Sequence, residues 1–524
     1  MQVAFRADAS TLIGTGHVMR CLTLAAALRH VGANCTFFCR SQPGDMREVI
    51  ASQGHVVRML GPLLNVDLNA AVDIAEGTDS APHAHWLGTT CAQDAKDTLE
   101  AMAGQFWDWL VVDHYALDEK WERFLRPNCR HLAVLDDLAD RDHDCDLLVD
   151  PGAEPDLPAR YAQRVPKCAA LLIGPQSAIL RTEFDFARAK VLSIGPRVLS
   201  IVPKQLLVMF GGNDGTGHTL EALEAIAVTA PAGTLVDVVV SNINQDRARL
   251  AAFCAIHITF NLHVASNEVA KLMARADLVV ASGGGAVYER LYLRRPSLIK
   301  VVAENQRKPL QYMASVDMFA LYNNSSELEA ALCQAFAQGV NPPPDVVRNG
   351  VPTITQTMLQ RLVSLQAPCP LDLRRSFHWL QDVGLRQQFL MRDGAPTRGG
   401  HFQHWRRLLA DNRQRIFSIY QGRRHIGNAG LRDINLASGQ AELWLYLGVS
   451  EKRGEGLGKV ALRQLESVIR DHFACRTAVL HVSRFNAPAY RLYCRFGYQL
   501  SCYQDAEAAG FMPGLDVVRM ERLL

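Results

Sequence analysis

Along the first 340 residues, short apolar runs alternate with stretches whose apolar residues recur at helical spacing. Glycine or polar residues fall repeatedly at the carboxyl side of each run. The runs include VAFRAD, CTFFCR, WLVVDHY, HLAVLDD, QLLVMFGG, VDVVVSN, DLVVASGGG and SLIKVVAEN. Continuous Val, Leu and Ile runs read as strands buried on both faces of a parallel sheet, and such sheets take their ligands beyond the carboxyl ends of the strands. The polar tails of the runs are therefore candidate site residues. Between Phe184 and Lys204 the apolar period lapses, and a fresh strand with its own glycine loop starts at Gln205. Two Rossmann-like halves, over residues 1–190 and 200–345 with a cleft between them, are the economical reading.

Proline then changes the pattern. NPPPDVVRNGVP and QAPCPLDLRR interrupt helices and favour extended backbone, which predicts a linker over 346–370 and a further domain over 371–524. In that domain RIFSIYQGRRHIGNAGL reads as two strands joined at Gln421–Gly422. QAELWLYLGV reads as a strand of alternating faces, with Glu442, Trp444 and Tyr446 on one side. EKRGEGLGK follows before a helical stretch, and its Arg453-x-x-Gly456-x-Gly458 spacing presents consecutive N–H groups to an anion at a helix start. No internal repeat or low-complexity tract appears.

Composition narrows the partners. The 524 residues are too many for one core and suggest about three domains. Lysines and arginines (55) nearly cancel aspartates and glutamates (53), so no uniform field is present to hold a nucleic acid or an anionic membrane. Small-molecule partners are expected, with no nucleic acid and no membrane. The thirteen cysteines show no C-x-x-C pair and no zinc-type spacing, and read as packed thiols of a reducing compartment. MQVAFRADAS has no basic leader, and no window supplies the ~18 apolar residues of a membrane span. A cytoplasmic protein is expected.

The stretch LIGTGHVMRC carries the first candidate chemistry. Val18, Cys21, Leu22, Ala25 and Leu28 fall at helical spacing after Gly16, with Gly32 as the stop, so His17 sits at a helix N-terminus. The positive end of the helix disfavours a protonated imidazole and keeps a base available at neutral pH. A capping histidine without chemistry is the plain alternative. FGGNDGTGHT follows a strand and can cradle a phosphate on its backbone N–H groups, and in SGGGAVYE the glycines 283 to 285 open a helix one turn before Glu289, whose carboxylate can accept ribose hydroxyls. The acidic run DDLADRDHDCD fits no EF-hand spacing and reads as a structural loop rather than a metal site.

FRADAS, IGTGHVMRC, VVDHYALDEKWE, LDDLADRDHDCDLLVD, GPQSAILRTEF, FGGNDGTGHT, GGGAVYERLYLRRPS and AENQ occur in one order. That order resembles the UDP-2,4-diacetamido-2,4,6-trideoxy-β-L-altropyranose hydrolases of the pseudaminic acid pathway, over roughly residues 1–340. Those hydrolases are similar in fold to two-domain nucleotide-sugar glycosyltransferases of GT-B type. The resemblance implies that His17 activates water for inverting attack at the anomeric carbon and that Tyr115 and Asn305 flank the reacting sugar. It further implies that Gly211, Gly212, Gly284 and Glu289 hold UDP, with Gly16, Arg20 and Gln306 also at the substrate. Helix N-termini and backbone donors can stabilise the leaving diphosphate, so no metal is expected. Three features depart from the family: the long segment Gly61–Pro82, Asn213 where serine or threonine is usual, and Gly285-Ala286 in place of a hydroxyl residue.

From about Leu371 the order EKRGEGLGK, AVLHV, NAPAYRLYCRFGY resembles the GCN5-related N-acetyltransferases (GNAT). The resemblance implies that Val449, Arg453, Gly454, Gly456 and Gly458 bind the pyrophosphate arm of acetyl-CoA and that Asn486 contacts the cofactor. It also implies that Tyr493 protonates the departing thiolate and that Glu442 serves the incoming amine as base, a surface residue being the alternative there. LRRSFHWLQDVGLRQQF is similar both to members that acetylate amino-sugar nucleotides and to members that modify protein N-termini.

The combined expectation is an α/β chain, a GT-B-like pair of Rossmann-type domains followed by a GNAT α+β domain. It would acetylate the C4 amine of UDP-4-amino-4,6-dideoxy-N-acetyl-β-L-altrosamine and then hydrolyse the product to free sugar and UDP. A glycosyltransferase with a sugar hydroxyl in place of water, and a non-catalytic nucleotide-sugar sensor fused to an acetyltransferase, are the alternatives. The oligomeric state is not legible in the sequence.

Overall fold

The structure is a computed structural model that describes the chain except residues 62–82, 194–201, 212–213, 215–216, 243, 389–393, 412, 423, 455 and 505–515. It divides into two compact units, Met1–Thr355 and Gln356–Leu524.

In the first unit all eight apolar runs form strands, and five further strands join them among the described residues. β1 (Gln2–Ala7), β2 (Asn34–Cys39), β3 (Val56–Met59), β4 (Trp107–Asp113), β5 (Cys129–Leu135), β6 (Leu147–Asp150) and β7 (Ala170–Ile173) make an all-parallel sheet in the order β3-β2-β1-β4-β5-β6-β7. β8 (Gln205–Met209), β9 (Leu235–Val240), β10 (Phe260–Val264), β11 (Leu278–Ser282), β12 (Ser297–Lys300) and β13 (Ala320–Tyr322) make a second, in the order β10-β9-β8-β11-β12-β13. Val3, Phe5, Leu110, Val208 and Val280 are fully buried, as two-sided coverage by helices requires. Both sheets are Rossmann-like, and in each the order reverses once, between β1 and β4 and between β8 and β11. At such a switch point the flanking connections leave to opposite faces, so a crevice opens beyond the strand ends.

Two boundaries differ from the sequence reading. The lapse after Phe184 contains a helix, Thr182–Ser193, which buries only Phe184 and Ala187 and so leaves no apolar stripe to read. Both side chains join the core of the second sheet, and Tyr292 Oη donates to Asp185 at 2.6 Å. The packing of the second half therefore begins before residue 190. The stretch 346–370, read as a linker from its prolines, carries the helix Val351–Leu362 and the strand β14 (Val363–Gln366).

In the second unit β14, β15 (Arg415–Gln421), β16 (Arg424–Asn435), β17 (Gln440–Leu447), β18 (Thr477–Ser483), β19 (Gln499–Gln504) and β20 (Val517–Leu523) form one sheet in the order β14-β15-β16-β17-β18-β20-β19. Every neighbouring pair is antiparallel except β17 and β18. Among the described residues no helix is long and apolar enough to cross a membrane.

Candidate functional site

The first switch point brings together the loop after β1 and the end of β4. The helix Gly16–His30 starts there, with His17 in its first turn and 7% exposed. His17 Nδ1 lies 2.5 Å from Oδ1 of Asp113, the last residue of β4. Arg20, one turn along the helix, grips the same carboxylate with two contacts of 2.6 Å and reaches Asp137 at 3.1 Å. Burial alone would raise the Asp113 carboxyl, but Arg20 and His17 outweigh it and hold the group well below the ordinary range. An ionised Asp113 can only accept, so Nδ1 carries the imidazole proton and Nε2 is the nitrogen with a free lone pair. Arg20, expected at the substrate, is thus placed on Asp113 and Asp137, where it fixes the pair that orients His17.

Tyr115 meets the imidazole edge-on, with ring centroids 4.5 Å apart, and burial, together with the charge of Asp137, pushes its hydroxyl up. Two residues the sequence reading passed over complete this wall. Trp86 stacks on Tyr115 at 5.5 Å, and His83 lies 4.6 Å from Trp86 and 5.4 Å from Tyr115. They follow the long segment Gly61–Pro82, of which residues 62–82 lie outside the described residues. Asp113 was also passed over, although it stood in WLVVDHY as the polar tail of a buried parallel run. Gly16 opens the helix, and a β-carbon there would meet nothing within 4 Å.

The acidic run after β5 is engaged in internal pairs. Asp136 takes Arg141 at 2.8 Å and the backbone of Ala139, His143 Nδ1 lies 2.7 Å from Glu122, and Arg126 holds Asp144 and Asp146. Tyr161 Oη sits 2.7 Å from Asp136 Oδ2 and 2.8 Å from Asp150 Oδ2, all three residues being fully buried. One hydroxyl has one proton, so both contacts are filled only if a carboxyl carries another. Burial, with the charges of Asp137 and Asp136, pushes Asp150 up to about 8, which places that proton on Asp150. Tyr288, from the second half, also senses Asp150 and Asp137.

Because the folded chain retains a proton that the unfolded chain loses in the ordinary carboxylate range, Asp150 lowers stability progressively as pH rises toward about 8. Asp150→Asn is expected to flatten that slope and to raise the urea midpoint of the first unit at pH 7 to 8. An unchanged slope would count against a protonated Asp150.

The second switch point carries the two glycine loops. Gly211 follows β8, is exposed and has φ +92°, while Gly212 lies outside the described residues. Gly283 and Gly284 need glycine for different reasons. A β-carbon on Gly283 would stand 2.1 Å from Leu310 Cδ1, whereas one on Gly284 would meet nothing within 4 Å. Protein packing thus explains Gly283, and Gly284 is left open for close approach of a ligand. Glu289 lies one turn into the helix Ala286–Tyr292 and pairs with Arg181 at 3.2 Å, which leaves its side chain 17% exposed. Burial raises its carboxyl despite Arg181. Asn305 belongs to the helix Glu304–Ser315, its side chain lying outside the described residues. Gln306 Oε1 is buried near Gly283 with no hydrogen-bond partner among the described residues, as an acceptor awaiting a donor would be.

In the second unit β17 and β18 pair only from Gln440–Thr477 to Glu442–Val479, although β17 runs on to Leu447 and β18 to Ser483. The unpaired stretches leave backbone donors and acceptors for an extended arm between the strands. β17 leads to Val449, whose N–H contacts Ile426 O at 3.3 Å, and then to Arg453, whose Nε donates to Leu447 O at 3.0 Å. Gly454 is exposed, and Gly456 at φ +79° caps the helix Leu457–Ser467, which includes Gly458. Asn486 caps the helix Ala487–Arg495. Tyr493 on that helix is buried, and burial pushes its hydroxyl up to about 12, so it is a protonated donor at neutral pH.

Residues 379–498 match the acetyltransferase (GNAT) family. Within this acetyltransferase domain Glu442 differs from a free base. It accepts from His481 Nδ1 at 2.8 Å and pairs with Arg432, and these contacts hold its carboxyl below the usual value against the opposing effect of burial.

Over 316 residues the chain is 22% identical to the UDP-2,4-diacetamido-2,4,6-trideoxy-β-L-altropyranose hydrolase of Campylobacter jejuni subsp. jejuni serotype O:2, covering 60% of this chain and 96% of that one. It is 24% identical over 316 residues to an uncharacterised protein of Methanocaldococcus jannaschii, covering 59% of this chain. The match spans 57% of that archaeal protein, little more than half its length. Among solved structures, a spermidine N-acetyltransferase from Vibrio cholerae in complex with CoA and spermine is 20% identical, over 31% of this chain and 95% of that one, with a TM-score of 0.29.

Proposed function

We propose that the chain is bifunctional: the acetyltransferase domain transfers acetyl from acetyl-CoA to the C4 amine of UDP-4-amino-4,6-dideoxy-N-acetyl-β-L-altrosamine, and the first unit hydrolyses the diacetamido product. Both steps belong to pseudaminic acid synthesis in a cytoplasmic setting, and the two Rossmann-like halves act as a GT-B-like pair. The observation that carries the hydrolase reading is the contact of His17 with Asp113 at the β1/β4 switch point. A base must stand near the carboxyl ends of the strands with one tautomer fixed, and this contact meets both needs.

In the reaction His17 Nε2 takes a proton from water as the water oxygen bonds to the anomeric carbon. The bond from that carbon to the diphosphate oxygen breaks, and its electrons leave with UDP. Asp113 holds the imidazolium that results, and Arg20 keeps Asp113 ionised and in place. Tyr115 with His83 and Trp86 walls the site against bulk water. The loops at Gly211–Gly212 and Gly284, with Glu289, Asn305 and Gln306, are assigned to UDP and its sugar. In the acetyltransferase domain the gap between β17 and β18 takes the pantetheine arm, the loop from Val449 to Gly458 takes the pyrophosphate, Asn486 contacts the cofactor, and Tyr493 protonates the leaving thiolate. Glu442 acts through His481 and Arg432, as an orienting carboxylate.

The test supplies the UDP-4-amino sugar with acetyl-CoA and follows CoA, UDP and free sugar by mass spectrometry. CoA release before UDP, with free diacetamido sugar and no added acceptor, is the expected result. UDP release only with an added sugar acceptor would identify a glycosyltransferase, and nucleotide-sugar binding without turnover would identify a sensor.

Gly458 offers a separate check. A β-carbon there meets only Leu445 and Leu447 methyls at 3.8 and 3.9 Å, which is ordinary contact. Gly458→Ala is expected to leave the fold intact, with alanine's helix preference favouring it by about 0.5–1 kcal/mol. It is expected to raise the KM for acetyl-CoA roughly tenfold, which corresponds to about 1.4 kcal/mol. Thermal unfolding and acetyl-CoA titration of the same sample separate the two effects.

A further inference from the structure

Beside the pyrophosphate loop the acetyltransferase domain gathers like charges. Lys459 follows Gly458 in the first turn of the helix Leu457–Ser467, and Arg463 stands one turn later on the same face. Arg495 ends the helix Ala487–Arg495, and Phe496 follows it. Lys459 Nζ lies 5.8 Å, Arg463 Cζ 5.5 Å and Arg522 Cζ 6.0 Å from the centroid of the Phe496 ring, so three cations converge on one aromatic side chain.

Compensation is incomplete. Glu466 is claimed by Arg522, with two contacts of 3.0 and 3.1 Å. Arg463 donates to the amide oxygen of Gln356, which is neutral. Lys459 and Arg495 have no carboxylate within ion-pair distance among the described residues. Burial, together with Arg463 and Arg495, holds the Lys459 ammonium below its usual value. Like charges four residues apart on a helix repel one another, and an anion shared among them would relieve that repulsion.

We infer that Lys459, Arg463 and Arg495 form a subsite for a phosphomonoester, the 3′-phosphate on the ribose of coenzyme A. The inference rests on the acetyl-CoA reading of this domain. The pyrophosphate assigned to the loop that ends at Gly458 is bonded to the 5′ carbon of the ribose whose 3′ carbon bears the phosphomonoester. One sugar ring therefore separates the two anions, and Lys459 stands directly after Gly458 at the end of that loop. A phosphomonoester carries roughly two negative charges at neutral pH, enough to offset two of the three cations. Arginine forks and a lysine ammonium suit its three terminal oxygens. The subsite would let the domain distinguish coenzyme A from nucleotides that share only its pyrophosphate.

Calorimetric titration of the full chain with CoA and with 3′-dephospho-CoA tests this. The native protein is expected to bind CoA at least tenfold more tightly than 3′-dephospho-CoA. In Lys459→Gln/Arg495→Gln the preference should shrink to within about twofold, through weaker CoA binding alone. Equal affinity of the native chain for both ligands would overturn the subsite while leaving acetyl-CoA as cosubstrate. So would a double variant that weakens for both ligands alike, since that marks a structural role. Absence of binding by either ligand would reject the acetyl-CoA reading and the subsite with it. Loss of the preference in the single Arg463→Gln variant, with dephospho-CoA affinity retained, would support the assignment of all three cations.

Discussion

The His17→Gln protein is expected to release UDP from the diacetamido nucleotide sugar about 10²- to 10⁴-fold more slowly than the native chain, with UDP affinity unchanged. Glutamine can keep a hydrogen bond to Asp113 but supplies no basic nitrogen, so only proton transfer is removed. Asp113→Asn is expected to cost a similar factor for a different reason. An amide at position 113 can donate to Nδ1, which would move the imidazole proton to Nε2 and leave no lone pair facing water. Because Asp113 also binds Arg20 at 2.6 Å, that variant needs a second readout. Its kcat should fall while UDP binding, measured by calorimetry, persists. A His17→Gln protein with native turnover would remove the hydrolase mechanism altogether.

The largest stability effect is expected at Asp94, far from any charge the sequence marked as chemical. Its carboxylate is fully buried and accepts from Arg6 Nε at 3.1 Å and Nη2 at 2.7 Å, from Arg40 Nη2 at 2.9 Å and from Trp121 Nε1 at 3.0 Å. Arg6 and Arg40 are themselves buried, so Asp94→Ala leaves guanidinium groups short of counter-charge in the interior. The expected loss is about 3–5 kcal/mol from the first unit. Urea unfolding, with the two units resolved as separate transitions, measures it.

The pH dependence of this cluster has the opposite sign to that of Asp150. Although burial works to raise it, pairing with Arg6 and Arg40 holds Asp94 well below the ordinary carboxylate range. Its contribution is therefore complete above that range and is lost only as the pH falls below it. Asp94→Ala should accordingly be less costly in acid than at pH 7. The cluster also bears on the site, since Arg6 holds Asp8 at 2.7 Å and Asp8 lies 3.5 Å from Nε2 of His114, next to Asp113.

Much of the architecture was written in local pattern. Eight continuous apolar runs became eight parallel strands, because strands covered on both faces must be apolar at every position. The helix after Gly16, its stop at Gly32, and the glycine loops after β8 and β11 followed from spacing in the same way. Elements that bury little were harder to read. The helix Thr182–Ser193 buries two side chains, and β3, β7 and β13 are three or four residues long, so none carries a period that stands out from its surroundings. The prolines at 342–344 and 352 suggested extended chain, yet Pro352 lies in the first turn of a helix, where its missing N–H costs nothing.

By itself the sequence determined that the chain has two Rossmann-like sheets followed by a GNAT domain, and that His17 and the glycine loops stand at element ends. Those facts depend on residues near one another in the chain. Only the tertiary structure decided what each polar group faces: that Asp113, 96 residues from His17, fixes its tautomer, that Arg20 serves that pair, and that Glu442 is bound by His481 and Arg432. The reason is physical. Periodicity records burial, which a residue shares with its neighbours along the chain, whereas a proton's position is set by charges within a few ångströms in space.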